Sequence, residues 1–178
     1  LAVVGLGNPG RRYARTRHNA GFLVIDRLAD RCGASFSPHA PSCSCLAPAR
    51  VAQRQVWLAK PQTYMNESGR CAAALAAWLG CQPADLLVVV DDLLLDVGRL
   101  RFRRGGSDGG HHGLASVLDA LRTREVPRLR LGVGPPPEGA DRIDFVLGEF
   151  GRDDDVEALA SRGADAVEYC AAAGIEAA

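Results

Sequence analysis

The run Leu86-Leu87-Val88-Val89-Val90 constrains the fold more than any other stretch of this chain. Aliphatic residues without polar alternation make a strand that is buried on both faces. A strand of that kind needs packed layers on either side of its sheet. The rest of the chain can supply them. Residues 2–5, residues 55–59 and the alternating Leu129, Leu131 and Val133 read as further strands. Phe22, Leu23, Ile25, Leu28 and Ala29 recur at helical spacing, and Cys32-Gly33 closes that helix. Asn66 or Ser68 is placed to cap a second helix running to Leu79-Gly80. Residues 114–121 form a third helix. Residues 153–173 form a terminal amphipathic one with Val156, Leu159, Ala160, Ala164 and Val167 inward. Residues 35–49 carry Pro38, Pro41 and Pro48 and read as loop or edge structure, with Cys43 and Cys45 on one face of a strand. Strands alternating with helices predict an α/β fold. It is a single domain over residues 1–178, a mixed, mostly parallel twisted sheet flanked by helices.

Composition narrows the function classes. A chain of 178 residues holds one well-buried core and falls short of two full domains. No apolar run approaches the roughly 20 residues of a membrane span. No basic, apolar and cleavable segments follow one another at the start, so a cytoplasmic protein is expected. Formal net charge is zero, which excludes a uniformly basic nucleic-acid binder. The distribution is uneven, however. Lys60 is the sole lysine, and arginines cluster at 11–17, 99–104 and 128–130. Local phosphate recognition fits that pattern. The six cysteines are irregularly spaced and match neither a disulfide framework nor a zinc site, so no metal and no cofactor are expected.

Chemistry concentrates in three polar clusters, each beside an apolar run. They are Gly5-Leu6-Gly7-Asn8-Pro9-Gly10 through Arg17-His18-Asn19-Ala20-Gly21, then Lys60-Pro61-Gln62-Thr63-Tyr64-Met65-Asn66-Glu67-Ser68-Gly69, then Asp91-Asp92 through the glycine-rich 105–113 segment. Gly5-x-Gly7-x-x-Gly10 has dinucleotide-binding spacing, but no apolar helix opens directly after it and no acidic residue ends a second strand. Asp91 follows a buried strand at the end where α/β proteins place their sites. It can accept a hydrogen bond from one ring nitrogen of His18 and leave the other to face a water. Asp91 and Asp92 can equally be simple turn caps. Without a Gly-x-Ser-x-Gly elbow, water is the expected nucleophile. His111-His112 sits before a helix whose N-terminus can hold an anion.

These motifs, in this order, resemble the bacterial-type peptidyl-tRNA hydrolase family. Tyr13 and the segments Arg128-Leu129-Arg130-Leu131-Gly132-Val133-Gly134 and Asp144-Phe145-Val146-Leu147 extend the likeness over nearly the whole chain. The resemblance implies a monomer that hydrolyses the ester between a peptide and the 3′ ribose of tRNA, without metal. It implies His18 as general base and Asp91 as its orienting partner. It implies substrate contacts from Asn8, Tyr13, Tyr64, Met65, Asn66, His111 and His112. Arg101, Arg103 and Arg130 map to its tRNA-binding surface, which takes the acceptor arm and 3′ end. Two positions depart from the family pattern: His112 stands where an asparagine is usual, and Val90 where a histidine often precedes the aspartate. A non-catalytic RNA-binding member of the same fold, like the chloroplast splicing factors, is the competing expectation. Exposed apolar residues on the last helices would favour it.

Overall fold

A computed structural model describes residues 1–174. Its sheet runs in the order β2-β3-β4-β1-β5-β7-β6. The strands are β1 (Ala2–Gly5), β2 (Ser37–His39), β3 (Ser44–Val51), β4 (Arg54–Pro61), β5 (Leu86–Asp92), β6 (Leu100–Arg103) and β7 (Arg128–Gly132). The central strands β4, β1, β5 and β7 are parallel. The pairs β2–β3, β3–β4 and β6–β7 are antiparallel. Helices α1 (Ala20–Cys32) and α5 (Val156–Ala173) cover one face, and α2 (Ser68–Leu79) and α3 (His112–Leu121) cover the other. A short α4 (Arg142–Leu147) stands apart from both layers. The expected single α/β domain with a mixed sheet is what the chain forms.

Strand alternation explains both cores. Val3, Leu87, Val89, Leu129 and Leu131 face α1 and α5. Ala2, Val4, Leu86, Val88 and Val90 face α2 and α3. Every residue of β5 is buried, as its unbroken aliphatic run requires. Pro48 lies where β3 has passed the end of β2, so its missing N–H breaks no ladder on that side. The stretch around it belongs to an eight-residue strand whose second half, residues 47–51, extends past β2 and has edge character, so of loop or edge structure the edge holds there. Cys43 is not on that strand: it ends a 3-10 turn at φ 47°, and only Cys45 lies in β3. Val156 is only half-buried on α5, while the rest of the expected inner stripe is buried.

The start of α2 also differs from expectation. Neither Asn66 nor Ser68 caps it; the capping position is Glu67, without a side-chain bond. Instead the Gly69 N–H donates to Ser116 Oγ of α3 at 2.9 Å. A neighbouring helix does the capping, which no local pattern could announce.

Gly21 sets the depth of α1. A Cβ there would meet the backbone oxygens of Leu6 and Val89 at 2.5 Å each. Backbone on both sides cannot step aside. Gly21→Ala is therefore expected to cost about 1–3 kcal/mol or more. Chemical denaturation checks this, and a loss below about 0.5 kcal/mol, the range of ordinary surface changes, would show that α1 can back away.

Candidate active site

Three parallel strands end side by side, and the polar clusters are the loops that leave them. β1 runs into residues 6–19, β4 into Thr63-Tyr64-Met65-Asn66, and β5 ends in Asp91-Asp92. Together with residues 105–112 and α4 they border a cleft of about 910 Å³. That is room for a large ligand.

The Asp91-Asp92 dipeptide divides its carboxylates by strand parity. Asp91 continues the Leu87, Val89 series and faces the side of α1. His18, in the 3-10 turn just before α1, donates from Nδ1 to both Asp91 oxygens at 3.0 Å. Asp92 continues the Val88, Val90 series. It pairs with Arg130 Nε as an ion pair without good hydrogen-bond alignment, and its Oδ1 accepts from Leu94 N–H at 2.9 Å.

Asp91 has a second partner that sequence reasoning did not assign. His111 Nε2 lies 2.9 Å from Asp91 Oδ1. Its Nδ1 accepts the Leu114 N–H at 3.0 Å, capping α3. An accepting Nδ1 carries no hydrogen, so Nε2 does, and His111 is a donor to Asp91. Burial pushes the Asp91 carboxyl up, but His111 and then His18 outweigh it. They hold the carboxyl well below the usual carboxylate range. An ionised Asp91 only accepts, so His18 keeps its hydrogen on Nδ1 and its Nε2 lone pair stays free. The rings of His18 and His111 are 4.8 Å apart. Among the described residues, His18, Asp91 and His111 also have ligand atoms within 4.8 Å of one another, close enough to share an ion. In this arrangement those nitrogens are committed to Asp91.

Asn8 is fixed as firmly. Its backbone N–H donates to Asn19 Oδ1, and its carbonyl accepts from Asn19 Nδ2, both at 2.9 Å. Its side-chain Oδ1 accepts the Met65 N–H at 2.8 Å. The amide nitrogen is thereby left for the cleft, which Asn8 lines. Asn19, for which no role was expected, is the buried residue that holds it.

Tyr64 and Asn66 are exposed on the cleft rim, while Met65 is buried beneath it against Gly113. His112 is exposed and also lines the cleft. Tyr13 does not: its hydroxyl pairs with Arg12 outside the lining. Among the expected phosphate-binding residues, Arg103 and Arg130 line the cleft and Arg101 does not. Arg101 pairs with Arg130, and Arg103 with Arg128, across β6 and β7. Leu100 and Phe102 turn to the opposite face, toward the α1 core. Arg128 also reaches the cleft and was not anticipated as a site residue. It is almost fully buried, its Nε has no partner, and burial lowers its guanidinium pKa, with the Arg130 charge adding to the effect. The period-two arginine pattern across two strands was the signal that could have found it. α4 contributes Ile143, Val146 and Leu147 to the cleft, a role that the sequence reading did not assign to its short apolar run.

A buried carboxylate orienting an imidazole, at the carboxyl edge of a parallel sheet and beside a fixed amide, defines an α/β protein built for histidine acid–base chemistry. The chain belongs to the peptidyl-tRNA hydrolase family, whose model matches residues 2–178. A peptidyl-tRNA hydrolase of Mycobacterium marinum is 50% identical over 178 residues, covering 99% of this chain and 93% of that protein. One from Moorella thermoacetica is 53% identical over 154 residues, 86% of this chain and 80% of that one. The crystal structure of peptidyl-tRNA hydrolase from Acinetobacter baumannii superposes with a TM-score of 0.86 at 31% identity, covering 97% of this chain and 88% of that one. A 5′-methylthioadenosine nucleosidase of Arabidopsis thaliana, at 10% identity and a TM-score of 0.57 over 93% of each chain, shares the fold alone.

Proposed function

We propose that this protein hydrolyses the ester linking a peptide to the 3′ ribose of tRNA. The observation that carries the reading is the His18–Asp91 hydrogen bond, which leaves His18 Nε2 free at an open cleft beside the Asn8 amide. His18 Nε2 takes a proton from a water as its oxygen attacks the ester carbonyl. The Asn8 amide donates to the oxygen that becomes negative, and Asn66 holds the water or the carbonyl from the rim. When the tetrahedral intermediate collapses, the C–O bond to the ribose breaks. The imidazolium returns its proton to the departing 3′ oxygen, and the peptide leaves as a carboxylic acid. Tyr64, Met65 and His112 border the peptide or the terminal nucleotide.

Arg103 and Arg130 line the cleft and would take phosphates of the acceptor arm, with Arg101 alongside and Arg128 buried beneath them. An enzyme serving many tRNAs needs backbone contacts rather than base readout. Arg103→Ala is expected to weaken tRNA binding and to lower the slope of log affinity against log salt by about 1. A salt titration of tRNA binding measures it, and an unchanged slope would remove Arg103 from the contact. The protein acts as a cytoplasmic monomer in this reading.

The RNA-binding alternative is not favoured. Of the large exposed apolar side chains on the last two helices, Ile143 and Leu147 line the cleft, and Tyr169 on α5 lies outside it. Rates on N-acetyl-aminoacyl-tRNA, unblocked aminoacyl-tRNA and a small ester with the same acyl group test the proposal. Fast release from the blocked tRNA alone is expected. Equal rates on the small ester would mean a general esterase.

A further inference from the structure

Arg17 precedes the proposed base, yet its side chain points away from the cleft into a different set of contacts. Its guanidinium lies over the Phe145 ring, 4.1 Å from the centroid, with the Phe150 ring at 5.8 Å. Nη1 donates to the Phe145 carbonyl at 3.3 Å, and Nη2 is 3.8 Å from Asp154 Oδ2. The Arg17 backbone N–H donates to the Gly148 carbonyl at 3.0 Å, and Thr16 forms an isolated bridge with Glu149. All these partners belong to α4 or to the segment between α4 and α5.

Those contacts matter because of how α4 is held. Its main packing partner is the 3-10 turn Arg17–Asn19. The helix has only six residues, too few to be stable alone in water. Its other side faces the cleft with Ile143, Val146 and Leu147. One turn of chain therefore carries the base on one side and the attachment of the cleft wall on the other. Arg17 Nε is buried without a partner, which costs stability and is uncommon where packing is the only demand.

We propose that Arg17 is a positioning residue, a latch that couples the α4 wall to the turn carrying His18, so that seating of the substrate and placement of the base move together. The inference rests on the hydrolase reading given above. Guanidinium suits the task because its planar fork can stack on Phe145 while donating in two directions; an ammonium cannot do both.

The test measures kcat and KM on N-acetyl-aminoacyl-tRNA together with hydrogen exchange at the Phe145 and Gly148 amides, which bond back to Asp141 and Asp144. Arg17→Lys keeps the charge and loses the fork. It is expected to raise KM and lower kcat, with kcat/KM falling about 10- to 100-fold. Exchange at the two α4 amides speeds up while β5 amides do not change. Asp154→Asn, at the outer end of the latch, gives the same pattern more weakly. Ile143→Ala trims the wall without touching the latch and moves KM alone. Global destabilisation would instead lower the active fraction, leaving KM unchanged and speeding exchange throughout. Wild-type kinetics in Arg17→Lys and Asp154→Asn, or faster α4 exchange with unaltered kcat, overturn the inference. Should Arg17→Lys fail to fold, Asp154→Asn and Phe145→Leu decide it by the same readouts. Absence of cleavage by the wild type would instead defeat the hydrolase reading, and the exchange data alone would then decide whether the latch exists.

Discussion

His18→Ala is expected to lower kcat on N-acetyl-aminoacyl-tRNA by about 10²- to 10⁴-fold, the usual worth of a positioned general base. Affinity for tRNA should stay close to wild type, because His18 bonds to Asp91 and the arginines in question are carried by β6 and β7. The fold should also survive, since the His18 side chain borders the cleft and its side-chain hydrogen bonds among the described residues go to Asp91. Single-turnover rates with a parallel tRNA-binding assay separate the two effects. A kcat within threefold of wild type would mean that some other group activates the water.

Asp91→Asn is expected to be nearly as severe, about 10²- to 10⁴-fold in kcat, for a different reason. In the wild type one carboxylate accepts from His18 Nδ1 on both oxygens and from His111 Nε2 on Oδ1. An asparagine has one acceptor oxygen. If it serves His111, its NH2 group faces the His18 Nδ1–H, and two donors oppose each other. Relief comes when His18 moves its hydrogen to Nε2, which abolishes the base. Rate and tautomer are read together, the latter by nitrogen NMR of the imidazoles. A full rate with the Nε2–H form present would contradict the assignment of Nε2 as the base.

The same carboxylate makes stability depend on pH. Its native pKa is depressed, so its pairing stabilises the fold above the unfolded value of about 3.9. That contribution is lost as pH falls from there through the native value. The stability gap between wild type and Asp91→Asn is therefore expected to narrow below about pH 3.9 in denaturant titrations. A gap that widens on acidification would reverse the sign.

Local sequence pattern carried the sheet and most helices, since β5 is a run of aliphatic residues and α1 keeps helical spacing from Ala20 to its Gly33 cap. It also offered His18 and Asp91 as a pair across 73 residues, with turn caps as the alternative, and the family resemblance assigned their roles. The choice of Asp91 over Asp92 came from the family resemblance; residues 87, 89 and 91 share a face of the strand, and the fold shows that this face meets His18. What lay beyond reach depends on contacts between distant elements. His111 completes the carboxylate only because α3 starts over the end of β5. Ser116 caps a helix other than its own. Arg17 meets α4 across 128 residues, and Phe145-Val146-Leu147 alone is too short a run to announce a cleft wall. Tyr13 belongs to a matching motif, yet its hydroxyl pairs with Arg12 and it lies outside the cleft lining.

The most direct test of the account compares wild type with His18→Ala on N-acetyl-aminoacyl-tRNA at matched tRNA affinity. Release of the blocked amino acid by the wild type, with its loss in the variant, is the expected result. Tight binding of tRNA by a wild type that cleaves nothing would contradict the account and leave an RNA-binding protein on a hydrolase fold.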